Sequence, residues 1–180
     1  MNGIDVSAAD GAIDWAGAYA EGVEFALIRA SAGMAADSRF AENIQAAYAA
    51  GIEIGVYHDL HAADPVSARA EAAVFLAQIS PVRDKIRLWA ICRVEEVSCA
   101  PFAEEFLYGV AAGGFSPMLA ADPSVLPHIG GRYPLWLLFW GIPEARAMAY
   151  APKIWQYGAG RTASMPRVHM NRGYFLDMRI

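Results

Sequence analysis

Gly3–Gly33, GIDVSAADGAIDWAGAYAEGVEFALIRASAG, is the stretch that decides the fold. A short apolar strand, Gly3–Ser7, is followed by an alanine-rich segment at helical spacing, Ala16–Glu21, and by a second strand, Phe25–Ala30. Strand, helix and strand within about 30 residues make a parallel βαβ unit. The alternation continues outward. Further strands are predicted over Glu53–His58, Leu88–Glu95, Pro117–Ala121, Leu135–Phe139 and Lys153–Tyr157, with a last one near Arg167–Asn171. Helices are predicted over Arg39–Ala50, closed by Gly51, over Pro65–Gln78 behind Asp64, and over Pro101–Ala112.

After Pro117 the strands follow one another too closely for full helices. Eight strands with about four good helices predict an α/β fold, an irregular (β/α) TIM-like barrel with a stripped-down second half. An open doubly wound parallel sheet is the alternative. No repeat, linker or low-complexity segment divides the chain, so residues 1–180 read as a single domain.

Composition narrows the partners. The chain has 14 basic and 19 acidic residues and a formal net charge of −5, which leaves no basic surplus for nucleic acid. Its mean hydropathy is +0.25. That value comes largely from 36 alanines, and no apolar run approaches the ~18–20 residues of a membrane span. The opening MNGIDVSAAD has no basic region and carries Asp5 where a signal peptide needs its apolar core. The expectation is a protein made in the cytoplasm without a signal peptide. Cys92 and Cys99 read as buried thiols rather than a disulfide.

In parallel α/β folds ligands bind at the carboxyl ends of the strands. The polar residues expected there are Asp5 and Ser7, Arg29, then Tyr57, His58 and Asp59, then Arg93, Glu95 and Glu96, and later Asp122, Gln156 with Tyr157, and His169 with Asn171. Asp5 lies between Ile4 and Val6, and a carboxylate in an apolar strand needs a partner or a task. A salt bridge to Arg29 or Arg93 is one reading, and a catalytic or substrate-binding role is the other. Strand alternation puts Arg93 and Glu95 on one face. Carboxylates on separate strands, here Asp5 and Glu95, are the apparatus of glycoside hydrolysis. Other signals are weaker. His58, Asp59 and His61 could form a metal cluster, although their spacing fits no strong signature and no metal or other cofactor is expected. No phosphate-binding glycine loop and no GxSxG elbow is present. Trp89 and Trp136 read as core, whereas Trp15, Trp140 and Trp155 sit at element ends where an aromatic face could stack on a sugar.

These residues resemble the glycoside hydrolase family 25 lysozymes, in which a GIDVS-like strand is followed by an IDW segment and an FAIIRAS-like strand. Asp37, Phe40 and Asn43, the run Ala49–His58, Pro134–Trp136 and the WQYG of Trp155–Gly158 follow in the family's order. The resemblance implies an N-acetylmuramidase fold acting on the peptidoglycan of bacterial cell walls. Asp5 becomes the first-strand active-site aspartate and Glu95 the general acid of the fourth-strand Asp-x-Glu motif. Tyr57, Trp136, Gln156 and Tyr157 become substrate-binding residues. Two departures stand out. The aspartate of Asp-x-Glu is Arg93, and the late aspartate of a VDxN-like segment is His169. A register slip by one would put Glu96 on the glutamate and Val94 on the aspartate, which is lost either way. Ala120 replaces a tyrosine, and Leu138 and Trp140 replace a small residue and a tyrosine.

A general acid must keep its proton near neutral pH, whereas a neighbouring arginine favours the ionised carboxylate. The expectation is therefore a degenerate site with hydrolysis weak or lost. The alternatives are a non-catalytic binding or structural module, with other protein subunits of a phage or secreted assembly as partners, and a fully active muramidase. A metal-dependent hydrolase around His58 and His61 is an outside reading.

Overall fold

The computed structural model describes residues 1–130 and 133–175. In chain order the elements are β1 (Asn2–Val6), α1 (Trp15–Ala20), β2 (Phe25–Ala32), β3 (Ala35–Ala36), α2 (Phe40–Ala49), β4 (Glu53–Asp59) and α3 (Pro65–Ile79). There follow β5 (Ala90–Val94), α4 (Ala103–Ala112), β6 (Pro117–Ala121), β7 (Leu135–Leu138), α5 (Glu144–Met148), β8 (Ile154–Gly160) and β9 (Val168–Gly173). Local chemistry sets the boundaries. Asp64 Oδ1 accepts the backbone N–H groups of Val66 and Ser67, each at 2.8 Å, with Pro65 at the first helical position, so α3 begins there. Gly51, at φ +81°, turns the chain out of α2.

The strands hydrogen-bond in the order β1-β9-β8-β7-β6-β5-β4-β2, and a β1–β2 pairing closes the ring. The result is an eight-stranded barrel with the two-residue β3 at its side. Closure excludes the open sheet. Within the barrel the parallel pattern of the βαβ units breaks at β9, which runs antiparallel to both β1 and β8. The reason is the connection. Only a short turn-rich segment separates β8 from β9, too little for the helix a parallel crossover requires.

Strand alternation builds two cores. Phe25, Leu27, Tyr57, Ile91, Met118, Trp136 and Ile154 fill the barrel. Ile4, Val6, Ile28, Ile54, Val56, Cys92 and Val94 face the helices. The thiols of Cys92 and Cys99 are free and buried.

The same parity corrects the metal reading of His58, Asp59 and His61. Asp59 points with the barrel lining, whereas His58 points outward, stacked on Phe106 with ring centroids 4.6 Å apart. Its Nδ1 meets Ser31 Oγ at 2.8 Å and its Nε2 meets Glu71 Oε2 at 2.8 Å. Glu71 also accepts the His61 backbone N–H at 3.0 Å. Among the described residues no group of three or more His, Cys, Asp or Glu side chains is placed to hold a metal. Burial pushes the His58 pKa below its usual value, against the pull of Glu71. His58 is thus a neutral core histidine that donates through Nε2 and accepts the Ser31 hydroxyl.

Two consequences are measurable. Glu71→Ala strands the His58 and His61 donors, and each unpaired buried donor costs about 1–3 kcal/mol. A loss below about 0.5 kcal/mol in urea unfolding would contradict this pairing. Because the folded state holds His58 neutral while the unfolded chain takes up a proton below about pH 6.5, stability falls as pH drops through that value. Burial disfavours the Glu71 carboxylate, but the His58 and His61 hydrogen bonds outweigh it and lower its pKa. Glu71 therefore adds stability above the usual carboxyl range that is lost as pH falls through its folded value.

Candidate active site

The inward parity that fills the barrel with aromatics continues upward as polar residues. At the carboxyl end of the parallel strands it presents Asp5, Arg29, Asp59, Arg93 and Gln156, and the reversed β9 brings His169 and Asn171 to the same end.

Asp5 is 1% exposed. Its Oδ1 accepts Gln156 Nε2 at 2.8 Å and Asn171 Nδ2 at 2.7 Å, and its Oδ2 accepts His169 Nδ1 at 2.9 Å. The amide orientations are dictated from behind. Trp140 Nε1 donates to Gln156 Oε1 at 2.7 Å and Trp136 Nε1 to Asn171 Oδ1 at 2.8 Å. An indole can only donate, so each amide must turn its oxygen to the tryptophan and its NH2 to Asp5. The hydrogen bond to Asp5 raises the His169 pKa, with burial opposing it.

The expected bridge from Asp5 to Arg29 or Arg93 is corrected. Both arginines converge on Asp59: Arg93 Nε lies 2.6 Å from Oδ1 and Arg29 Nη1 lies 3.1 Å from Oδ2. Arg29 Nε continues to Asp37 at 2.8 Å. Arg93 Nη2 reaches Glu95 Oε1 at 3.3 Å, as their shared strand face predicts. Its guanidinium lies 4.9 Å from the centre of the Tyr57 ring. Burial works against the charge on Arg93, but Tyr57, Asp59, Glu95 and Asp5 more than offset it and raise its pKa. Arg93 is a fixed cation.

The remaining expected residues divide. Tyr57 is buried in the barrel, edge-on to Trp136, and burial raises its pKa well above the usual value, so its hydroxyl stays protonated. Trp136 is wholly buried, which corrects its assignment as a ligand contact: it orients Asn171. Tyr157 is also corrected. It lies one residue off the inward parity of Gln156, on the outer layer beside Trp155 and beneath Arg172. Of the three tryptophans at element ends, Trp15 and Trp155 are buried and Trp140 is exposed. Asp59, here the hub of both arginines, is legible in the sequence as a polar strand end and a candidate metal ligand, not as an ion-pair partner.

Beside the Asp5 network a cleft of about 570 Å³ opens between the ends of β5, β6, β7 and β8. Glu95, Asp122, Ser124, Phe139, Trp140 and Gln156 line it. Side chains with mixed acidic and aromatic character in such a cleft can hold polyhydroxylated ligands by hydrogen bonds and ring stacking.

A closed β/α barrel with carboxylates at the carboxyl ends of its strands places this chain in the architectural class of barrel glycosidases. Residues 4–111, more than half the chain, match the model of Glycosyl hydrolases family 25, and the chain belongs to that family. It is 38% identical over 81 residues to an autolytic lysozyme of Clostridium acetobutylicum, covering 44% of this chain and 24% of that protein. It is 44% identical over 59 residues to lysozyme M1 of Streptomyces globisporus, covering 32% and 20%. The matched segments span about a quarter or less of these relatives. Among solved structures, the fold is shared with a bacterial lysozyme from Streptomyces coelicolor, at TM-score 0.76 and 23% identity over 97% of this chain and 92% of that one. It is shared also with a glycosyl hydrolase 25 of Streptococcus pneumoniae, at TM-score 0.84 and 16% identity over 96% and 86%.

The pKa of His169 has a consequence of definite sign. A histidine whose folded pKa is raised stabilises the fold fully below its unfolded value of about 6.5, and loses that contribution as pH rises through the folded value. The stability difference between the unchanged protein and His169→Asn should therefore be largest in mildly acidic buffer and shrink on alkalinisation. A difference independent of pH would show that His169 and Asp5 are not coupled.

Proposed function

We propose that this chain is a lysozyme-fold domain that engages the glycan strands of bacterial peptidoglycan in the cleft beside Glu95, with hydrolysis weak or lost. The observation that carries the reading is the placement of Arg93, bound to Asp59 at 2.6 Å and to Glu95 at 3.3 Å. A fixed guanidinium on the acid's own strand face engages Oε1 of that carboxyl group in an ion pair, whereas a general acid has to carry a proton to the leaving oxygen. It also puts positive charge where a glycosyl transition state develops positive charge, the opposite of electrostatic stabilisation. Asp5 supplies no free carboxylate oxygen to compensate, because three donors already engage it. On this reading the protein serves at the cell wall as a binding module, alone or within a phage or secreted assembly.

A second reading, a working muramidase with Glu95 as the acid and Asp5 as charge stabiliser, is favoured by one observation. The Glu95 side chain is 63% exposed and lines the cleft, within reach of a ligand.

One assay separates the two. Purified protein is incubated with bacterial cell walls and newly formed reducing ends are counted. The first reading predicts release at the level of a no-protein control, and a gain in the double variant Arg93→Asp with His169→Asp. Clear turnover that disappears in Glu95→Gln would establish the second. An inert double variant with an intact fold would move the defect away from these two residues.

A further inference from the structure

Trp140 is the tryptophan the fold does not bury. It is 44% exposed, whereas the other four are 6% exposed or less. Its plane is nevertheless fixed at two points. The ring nitrogen donates to Gln156 Oε1 at 2.7 Å, and the ring packs edge-to-face with His169, centroids 5.1 Å apart at 65°. A pre-oriented indole on a cleft wall costs little further ordering when a ring stacks on it.

The same cleft is lined by two acidic residues. Val94 and Ala121 are register partners of the parallel β5–β6 pair, so the residues that follow them, Glu95 and Asp122, leave adjacent strand ends side by side. Asp122 Oδ1 is engaged by Ser124, through its backbone N–H at 2.6 Å and its hydroxyl at 2.7 Å, and by the Val125 N–H at 3.3 Å. These contacts aim the carboxyl group and leave Oδ2 out of the turn. Among the described residues no arginine or lysine pairs with Asp122 and none lines the cleft. Arg93 reaches Glu95 only through Oε1, and the charge of His169 is matched by Asp5.

An indole face and two carboxylates lining one cleft are together complementary to a cation carried on a sugar ring. We propose that the cleft selects an amino sugar whose amine is free and protonated, a glucosamine unit without its N-acetyl group, stacked on Trp140 with its ammonium toward Asp122 and Glu95. The proposal rests on the reading that the cleft holds a glycan, and it deepens that reading by naming the glycan's chemistry. De-N-acetylated stretches of a cell-wall polymer would then be favoured over fully acetylated ones. The N-acetyl form has no charge to offer the carboxylates or the indole.

The test is isothermal titration of the full chain with two probes of equal length, glucosamine oligosaccharides and N-acetylglucosamine oligosaccharides, at low salt and about pH 5.5, where carboxylates are ionised. The expected result is about tenfold tighter binding of the cationic probe. That preference should collapse in Asp122→Asn and shrink on adding salt. Trp140→Ala should weaken both probes, and Trp140→Phe, which keeps a ring but lacks the bond to Gln156, should weaken them less. Equal or tighter binding of the N-acetylated probe, or a preference untouched by Asp122→Asn in a folded variant, overturns the selectivity and leaves the glycan reading standing. Binding of neither probe overturns both.

Discussion

A carboxylate inside a barrel must be fully paired, and the way Asp5 meets that requirement organises the whole upper end of this protein. Its three donors come from β8 and β9, on the opposite side of the closure from β2. Two of those donors are amides that point correctly only because an indole N–H holds each from behind. Trp136, buried in the barrel, and Trp140, exposed on the cleft, therefore belong to one hydrogen-bonded unit with Asp5. Breaking such a network at one member leaves the others buried and unsatisfied, which makes it both rigid and hard to change piecemeal.

The second organising pair is Arg93 and Asp59. Together with Arg29 and Asp37 they form a ladder of alternating charge across β2, β4 and β5. Three cations that the strands carry here are matched within the protein: Arg29 and Arg93 by Asp59, Asp37 and Glu95, and His169 by Asp5. Carboxylates paired in this way have little field left to lend to a developing oxocarbenium ion. Asp122 stands apart from this accounting, since its contacts are neutral donors from its own turn.

Much of the architecture was legible because parallel strands and helices announce themselves through periodicity and caps. Pro65 behind Asp64, Gly51 after an alanine-rich stretch, and the run of β-branched and aromatic segments placed the elements within a few residues. Less legible was anything that depends on a one-residue parity or on distant pairing. His58 and Asp59 are adjacent in sequence, yet one faces the helices and the other the site. Tyr157 and Gln156 divide in the same way. Nothing local in Val168–Asn171 reveals that the last strand runs backwards, and it is that reversal which delivers His169 to Asp5 across the β1–β9 ladder. Both arginines are plausible partners of Asp5 from sequence alone, but which carboxylate they reach is set by register between β4 and β5, where Asp59 and Arg93 stand opposite one another.

Asp5 is engaged by His169 and so is not a free carboxylate at the site. Titration of the His169 imidazole by NMR, in the unchanged protein and in Asp5→Asn, tests it directly. The expected result is a pKa above the usual value of about 6.5, with the proton on Nδ1 in the neutral form, and a fall when Asp5 loses its charge. A His169 that titrates at or below that usual value, and does so equally in both proteins, would contradict it.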